Sequence, residues 1–173
     1  MFLANFVQDT EIYIDANIFT YFALQNPIYQ VACTTFLSRV EAGEVKGVTS
    51  VFSLNETFYT ILIGKGSELL GSTKIKQIKA KLENDATFSA DCYRVCADFS
   101  QYITILRATG LRLVEVDYGL QVAALPLGRQ YRLLPTDALH IATCRHYGIS
   151  HIATADAHFE QVDFLTVWKP ESI

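Results

Sequence analysis

Positive charge is scarce in this chain, and its absences are informative. The 173 residues carry 14 Lys+Arg against 18 Asp+Glu, a formal net charge of −4. A protein that holds nucleic acid by its overall field needs the opposite balance, which argues against that class but not against a local nucleic-acid site. No Lys or Arg precedes Arg39, so residues 1–7 lack the basic region of a secretory signal. Long apolar runs are missing too. The most apolar stretch, residues 57–63, falls far short of the ~18 consecutive apolar residues of a membrane span. Cysteine is sparse, and Cys33, Cys92, Cys96 and Cys144 form no C-x-x-C pair, which argues against a zinc knuckle or a thioredoxin motif. Cys92 and Cys96, spaced i,i+4, read as core thiols. The expectation is a reduced, cytoplasmic protein with no membrane segment. There is no G-x-G-x-x-G or Walker-type loop, no internal repeat and no linker.

What the chain does have is apolar surface. Hydrophobic residues make up 50% and charged residues 18%, which excludes a disordered chain. Aromatics make up 12%, enough for a large core, and the length suits a single domain over residues 1–173. Hydrophobic periodicity predicts strands at 11–14, 45–49, 111–116, 151–154 and 164–168. Helices are predicted at 17–22, 28–41, 53–63, 72–83, 89–109, 118–127 and 135–147, with Gly64 and Gly66 ending the third. Strands alternating with helices indicate an α/β domain with a mainly parallel sheet.

Four acids stand where a merely solvated charge is not expected. Asp15 follows the first predicted strand, Glu56 lies within the helix after the second, Asp137 opens the helix at 135–147, and Asp156 follows the strand at 151–154. In a parallel sheet the carboxyl ends of the strands share one edge, where ligands bind. Three of the acids are thus predicted to meet there, with Glu56 in reach. Singly, each has a plain alternative: Asp15 as a helix cap, Asp137 as a first-turn acid, Asp156 as a turn cap, Glu56 as a surface residue. Together, ionised carboxylates repel, and a hard divalent cation such as Mg²⁺ or Mn²⁺ relieves that repulsion.

The segments YIDANIF (13–19), SLNETFY (53–59), LLPTDALHIATCRHYGI (133–149) and IATADAHF (152–159) resemble, in the same order, those of the PIN-domain nucleases. The third and fourth are the most specific. The resemblance implies a three-layer α/β/α fold on a central, mainly parallel five-stranded sheet, and Mg²⁺- or Mn²⁺-dependent cleavage of RNA. By position, Asp15, Glu56 and Asp137 match the family's principal metal-binding acids, and Asp156 matches its fourth. Asn17 and Thr154 match supporting polar positions. A VapC-like toxin neutralised by an antitoxin, and a homodimer, are further implications by analogy. Two departures are visible: an extended helical region at about 64–110, and His158 where many members carry another acid.

Other residues are less specific. His140, one turn after Asp137, reads first as a packed or capping residue and second as an outer base. His158 reads as a solvated loop residue. Lys74, Lys76, Lys79 and Lys81 serve equally well as an RNA-phosphate surface or as a solvated helix face, and Arg129 and Arg132 are second candidates. Tyr59 and Tyr131 serve equally well as rings for base stacking or as core residues. Two other readings remain open to the same residues: a PIN-like RNA-binding or scaffold protein with little catalysis, and a metal-dependent phosphatase.

Overall fold

The computed structural model describes residues 1–7 and 9–172. Five strands, β1 (Ile12–Ile14), β2 (Gly47–Ser50), β3 (Leu111–Val114), β4 (His151–Ala153) and β5 (Thr166–Trp168), form one sheet in the order β3-β2-β1-β4-β5. Every pairing is parallel. The helices are α1 (Ala16–Ala23), α2 (Gln30–Glu41), α3 (Val51–Leu70), α4 (Ile75–Asn84), α5 (Ala86–Thr109), α6 (Tyr118–Tyr131) and α7 (Pro135–His146).

The period-2 geometry of the strands divides the core into two halves. Ile12 and Ile14 of β1 pack on one face with Phe36, Ile61, Phe99 and Leu106 from the helices. Tyr13, between them, points to the other face and packs with Leu120, Leu127, Leu139 and Ile141 of α6 and α7. The result is three layers, α1, α2, α3 and α5 on one side of the sheet and α6 and α7 on the other.

The sequence direction reverses at β1, because β2 lies on one side of it and β4 on the other. Such a switch point opens a crevice at the carboxyl ends of the two strands it separates. Here those ends are Asp15 and Thr154, and the Asp15 amide donates to the Ala153 carbonyl at 3.1 Å across the pair.

The helix at 53–63 needs correction. It does not stop at Gly64 or Gly66 but runs to Leu70, where Gly71 adopts φ 62° in the left-handed region. The two glycines are close-packing sites. A Cβ on Gly64 would stand 2.6 Å from Leu24 Cδ1, and one on Gly66 the same distance from Ile78 Cγ2. The absent side chains admit α1 and α4 against α3, and the penalty of glycine in a helix is offset by that contact.

Candidate active site

Asp15 caps α1 and is 6% exposed. Its Oδ1 accepts the Ala16 amide at 2.7 Å. Its Oδ2 accepts the Thr154 hydroxyl at 2.7 Å and the Asn17 side-chain amide. Asn17 Nδ2 also donates to Thr154 Oγ1 at 2.8 Å, and Asn17 Oδ1 accepts the Ala155 amide at 3.1 Å. Asp15, Asn17 and Thr154 therefore tie the ends of β1 and β4 together. Burial pushes the Asp15 carboxyl up from its ordinary pKa, and the nearby Glu56 adds to this against the opposing effects of His140, Thr154 and Ala16.

A second group faces the same crevice. One ligand-capable atom from each of Asp137, Asp156 and His158 lies within 4.8 Å of the other two. Asp137 comes from the first turn of α7, and Asp156 begins a short 3-10 turn, accepting the His158 amide at 2.8 Å on Oδ1. His158 Nδ1 lies 3.2 Å from that same oxygen. The Asp137 carboxyl is also raised, first by burial and then by the charge of Asp156, with Glu56 contributing to the same effect. Two carboxylates and an imidazole in one exposed rim make a donor set for a divalent cation.

Glu56, six residues into α3, is joined to this ensemble through His140 of α7. Oε2 of Glu56 and Nε2 of His140 are 2.7 Å apart, and the same nitrogen is 3.8 Å from Asp15 Oδ1. Burial alone would lower the His140 pKa, but the Glu56 hydrogen bond and the charges of Asp15, Glu56 and Asp137 outweigh it and raise it.

The four predicted acids thus fall into two pairs on one rim. Asp137 and Asp156 sit close together with His158, whereas Asp15 and Glu56 are linked by His140 and lie outside that tight group. His140 is packed, as its sequence context suggested, at 3% exposure. Its bonds to Glu56 and to Tyr13 were not foreseen. The residues involved lie 84 and 127 positions apart, and only the facing of β1 toward α7 hints at the second bond. Asp15, Glu56, Asp137 and Asp156 fit Mg²⁺ or Mn²⁺ by donor chemistry: all offer carboxylate oxygens, and Asp15 and Asp137 have raised pKa values that a cation would bring down.

Among the described residues none of the basic candidates is ion-paired with the four acids. Lys74, Lys76, Lys79 and Lys81 are exposed on or beside α4; Lys81 pairs with Asp85 at 2.7 Å, and Lys79 Nζ stands 5.3 Å over the ring of Tyr59. Arg129 and Arg132 are exposed at the end of α6, where Arg132 takes φ 52° as the cap. A cavity of about 860 Å³ between α3 and α5 is lined by Glu56, Tyr59, Tyr93 and their neighbours, so it adjoins the acids. Tyr131 is committed elsewhere, donating to Asp163 at 2.5 Å.

Comparison with known proteins identifies the fold and the family. The chain is 24% identical over 162 residues to Ribonuclease VapC2 of Methanocaldococcus jannaschii, covering 93% of this chain and 95% of that one. It is 35% identical over 65 residues to Ribonuclease VapC6 of the same organism, a stretch that covers 38% of this chain and 42% of the relative. Among solved structures, VapC20 of Mycobacterium tuberculosis, a sarcin–ricin loop cleaving toxin, superposes with a TM-score of 0.56 at 16% identity, covering 89% of this chain and 96% of that one. VapBC2 from Rickettsia felis, bound to a promoter DNA fragment, gives a TM-score of 0.52 at 13% identity over 94% of this chain and 100% of its own. The PIN domain family model matches residues 12–165, and the chain belongs to that family.

Proposed function

We propose that this chain is a divalent-metal-dependent ribonuclease, the toxin partner of a toxin–antitoxin pair, acting as one PIN domain. The observation that carries the reading is a pair of acid clusters at the sheet's switch-point edge, Asp137 with Asp156 and His158, and Asp15 linked to Glu56 through His140. The ribonuclease relatives and the toxin folds support it.

Asp15, Glu56, Asp137 and Asp156 would hold the cation. Bound there, Mg²⁺ or Mn²⁺ would supply Lewis-acid chemistry, a water of lowered pKa and charge neutralisation at a phosphate. The chain's own residues do the rest. Asn17 and Thr154 fix the orientation of Asp15. Asp137 and Asp156 are partly exposed and His158 is exposed, so a phosphodiester can reach them from solvent. The exposed lysines of α4, with Lys79 above Tyr59 beside the cavity, offer a surface for the RNA backbone and a ring for a base. Among the described residues no helix is long and apolar enough to cross a membrane; a cytoplasmic home is proposed by family analogy. An antitoxin partner is favoured by the toxin–antitoxin structures that share the fold, and a homodimer by family analogy.

The test is cleavage of RNA with Mn²⁺ or Mg²⁺ by the wild type, Asp15→Asn and Asp137→Asn. Each variant is expected to lose about 100-fold or more, the loss typical when a group that stabilises developing charge is deleted. Equal cleavage by all three proteins contradicts the reading. Hydrolysis of a chromogenic phosphate monoester with RNA left intact would point to a phosphatase, and binding of RNA without cleavage to a scaffold.

A further inference from the structure

A buried hydrogen-bond chain stands behind Glu56. Nε2 of His140 lies 2.7 Å from Glu56 Oε2. An ionised carboxylate has no proton to give, so Nε2 carries the hydrogen and donates. Nδ1 of the neutral ring is then an acceptor, and the Tyr13 hydroxyl, 2.9 Å away, donates to it. The phenolic oxygen takes the Ser50 proton at 2.7 Å, and Ser50 Oγ accepts the Ser53 amide at 3.0 Å. Every group is satisfied, and the chain runs in one direction to end on Glu56. A protonated ring reverses the two inner bonds and leaves the bond to Glu56 as it is.

The ring has no room to turn. Tyr13 and Ser50 are fully buried, and His140 packs against Phe52, Tyr13 and Phe159 with ring centroids 5.3, 5.7 and 6.4 Å away. Three buried polar side chains are a poor way to gain stability, because apolar residues of similar volume would serve as well. What the chain provides is direction. It spans β1, β2 and α7 and terminates on a half-buried carboxylate of α3, whose long side chain otherwise samples several rotamers.

We infer that His140 is a positioning residue for Glu56, with its own tautomer and ring plane set by Tyr13 and Ser50. It holds Oε2 and so fixes the orientation of the carboxylate that would meet a cation. The inference rests on the reading above in taking Glu56 as a metal-holding acid. Outer hydrogen bonds of this kind typically contribute about 10–100-fold to metal affinity.

The experiment measures Mn²⁺ affinity of the RNA-free protein by calorimetry and electron paramagnetic resonance, alongside kcat and KM for RNA. Wild type is compared with His140→Leu, His140→Gln and Tyr13→Phe, with circular dichroism to establish folding. His140→Leu is expected to weaken Mn²⁺ binding about 10–100-fold and to lower kcat while KM holds. Gln offers an amide N–H to the same oxygen and is expected to restore most of the affinity, a rescue that a purely packing role does not produce. Tyr13→Phe, which deletes one oxygen atom and keeps the ring, is expected to fall between; it carries the test if His140→Leu does not fold. Unchanged Mn²⁺ affinity in Tyr13→Phe and His140→Leu, or equal loss in Leu and Gln, overturns the inference alone. A wild type that neither binds Mn²⁺ nor cuts RNA overturns the metal-site reading and this inference with it.

Discussion

The Thr154 hydroxyl donates to the Asp15 carboxylate at 2.7 Å, joining two residues 139 positions apart in the chain. The same oxygen accepts from Asn17 at 2.8 Å and from the Asp156 amide at 3.0 Å. One buried hydroxyl thus orients an acid of β1's end and the turn that carries another acid. Thr154→Val keeps the shape and removes the hydroxyl, leaving a buried carboxylate oxygen short of a donor and an amide without its acceptor. The expected destabilisation is about 1–3 kcal/mol. In a domain of this size each kcal/mol lowers Tm by about 2–4 °C. Thr154→Ser, which keeps the oxygen, is expected to melt close to wild type. Coincident melting of the Val variant and wild type contradicts this account.

Asp137 gives a prediction of opposite sign. Its folded-state pKa is raised, first by burial and then by Asp156. A carboxyl raised in this way contributes stability below its unfolded pKa, near about 3.9, and that contribution is lost as pH rises through the folded value. At pH 7 the ionised group therefore burdens the metal-free fold, despite the favourable position of an acid in the first turn of α7. Asp137→Asn is expected to raise Tm at pH 7 without metal, with the difference shrinking toward pH 4. Mn²⁺ is expected to raise Tm of the wild type more than that of the variant. A metal-free variant that melts below wild type at pH 7 would show that the helix dipole outweighs burial here.

The strands, and the shared edge of Asp15 and Asp156, are legible because parallel sheets obey a strong rule. Once strands 11–14 and 151–154 were read as parallel, Asp15 and Asp156 had to share an edge. Gly64 and Gly66 were misread because a glycine that ends a helix and a glycine that admits a neighbouring helix look alike in sequence. The difference lies in Leu24 and Ile78, which arrive from α1 and α4. The link from Tyr13 through His140 to Glu56 was not legible either. Period-2 alternation turns Tyr13 away from Ile12 and Ile14, but its partner comes from a helix 127 positions later.

Gly110 is a third kind of glycine, and its substitution is expected to be harsher than either. It follows α5, where a Cβ would stand 2.2 Å from the Val40 carbonyl oxygen and 3.3 Å from that of Val45. Both are backbone atoms, which do not swing aside as a leucine methyl does. Its amide caps Leu106, and its carbonyl accepts the Gly47 amide at 3.0 Å at the start of β2. Gly110→Ala must therefore move the end of α2 or the β2–β3 pairing. The expected cost lies at the upper end of about 1–3 kcal/mol, read by urea unfolding. Gly64→Ala, whose near neighbour is a side-chain methyl, is expected to cost less; the reverse order would contradict the packing argument.

Lys79 separates substrate holding from chemistry. Its ammonium lies 5.3 Å over the Tyr59 ring, and Tyr59 lines the same cavity as Glu56. If the RNA backbone passes over α4, Lys79 neutralises a phosphate and Tyr59 offers its face to a base. Lys79→Ala then removes binding that is equal in ground and transition states, so KM rises while kcat holds. The slope of log affinity against log salt for a single-stranded RNA is expected to shrink by about 0.7, the share of one phosphate contact. Lys81 is paired with Asp85, so Lys81→Ala is the internal control and is expected to change the slope less. A lower kcat at constant KM in Lys79→Ala would assign this lysine to the reacting phosphate instead, and equal slopes in both variants would return α4 to an ordinary solvated helix.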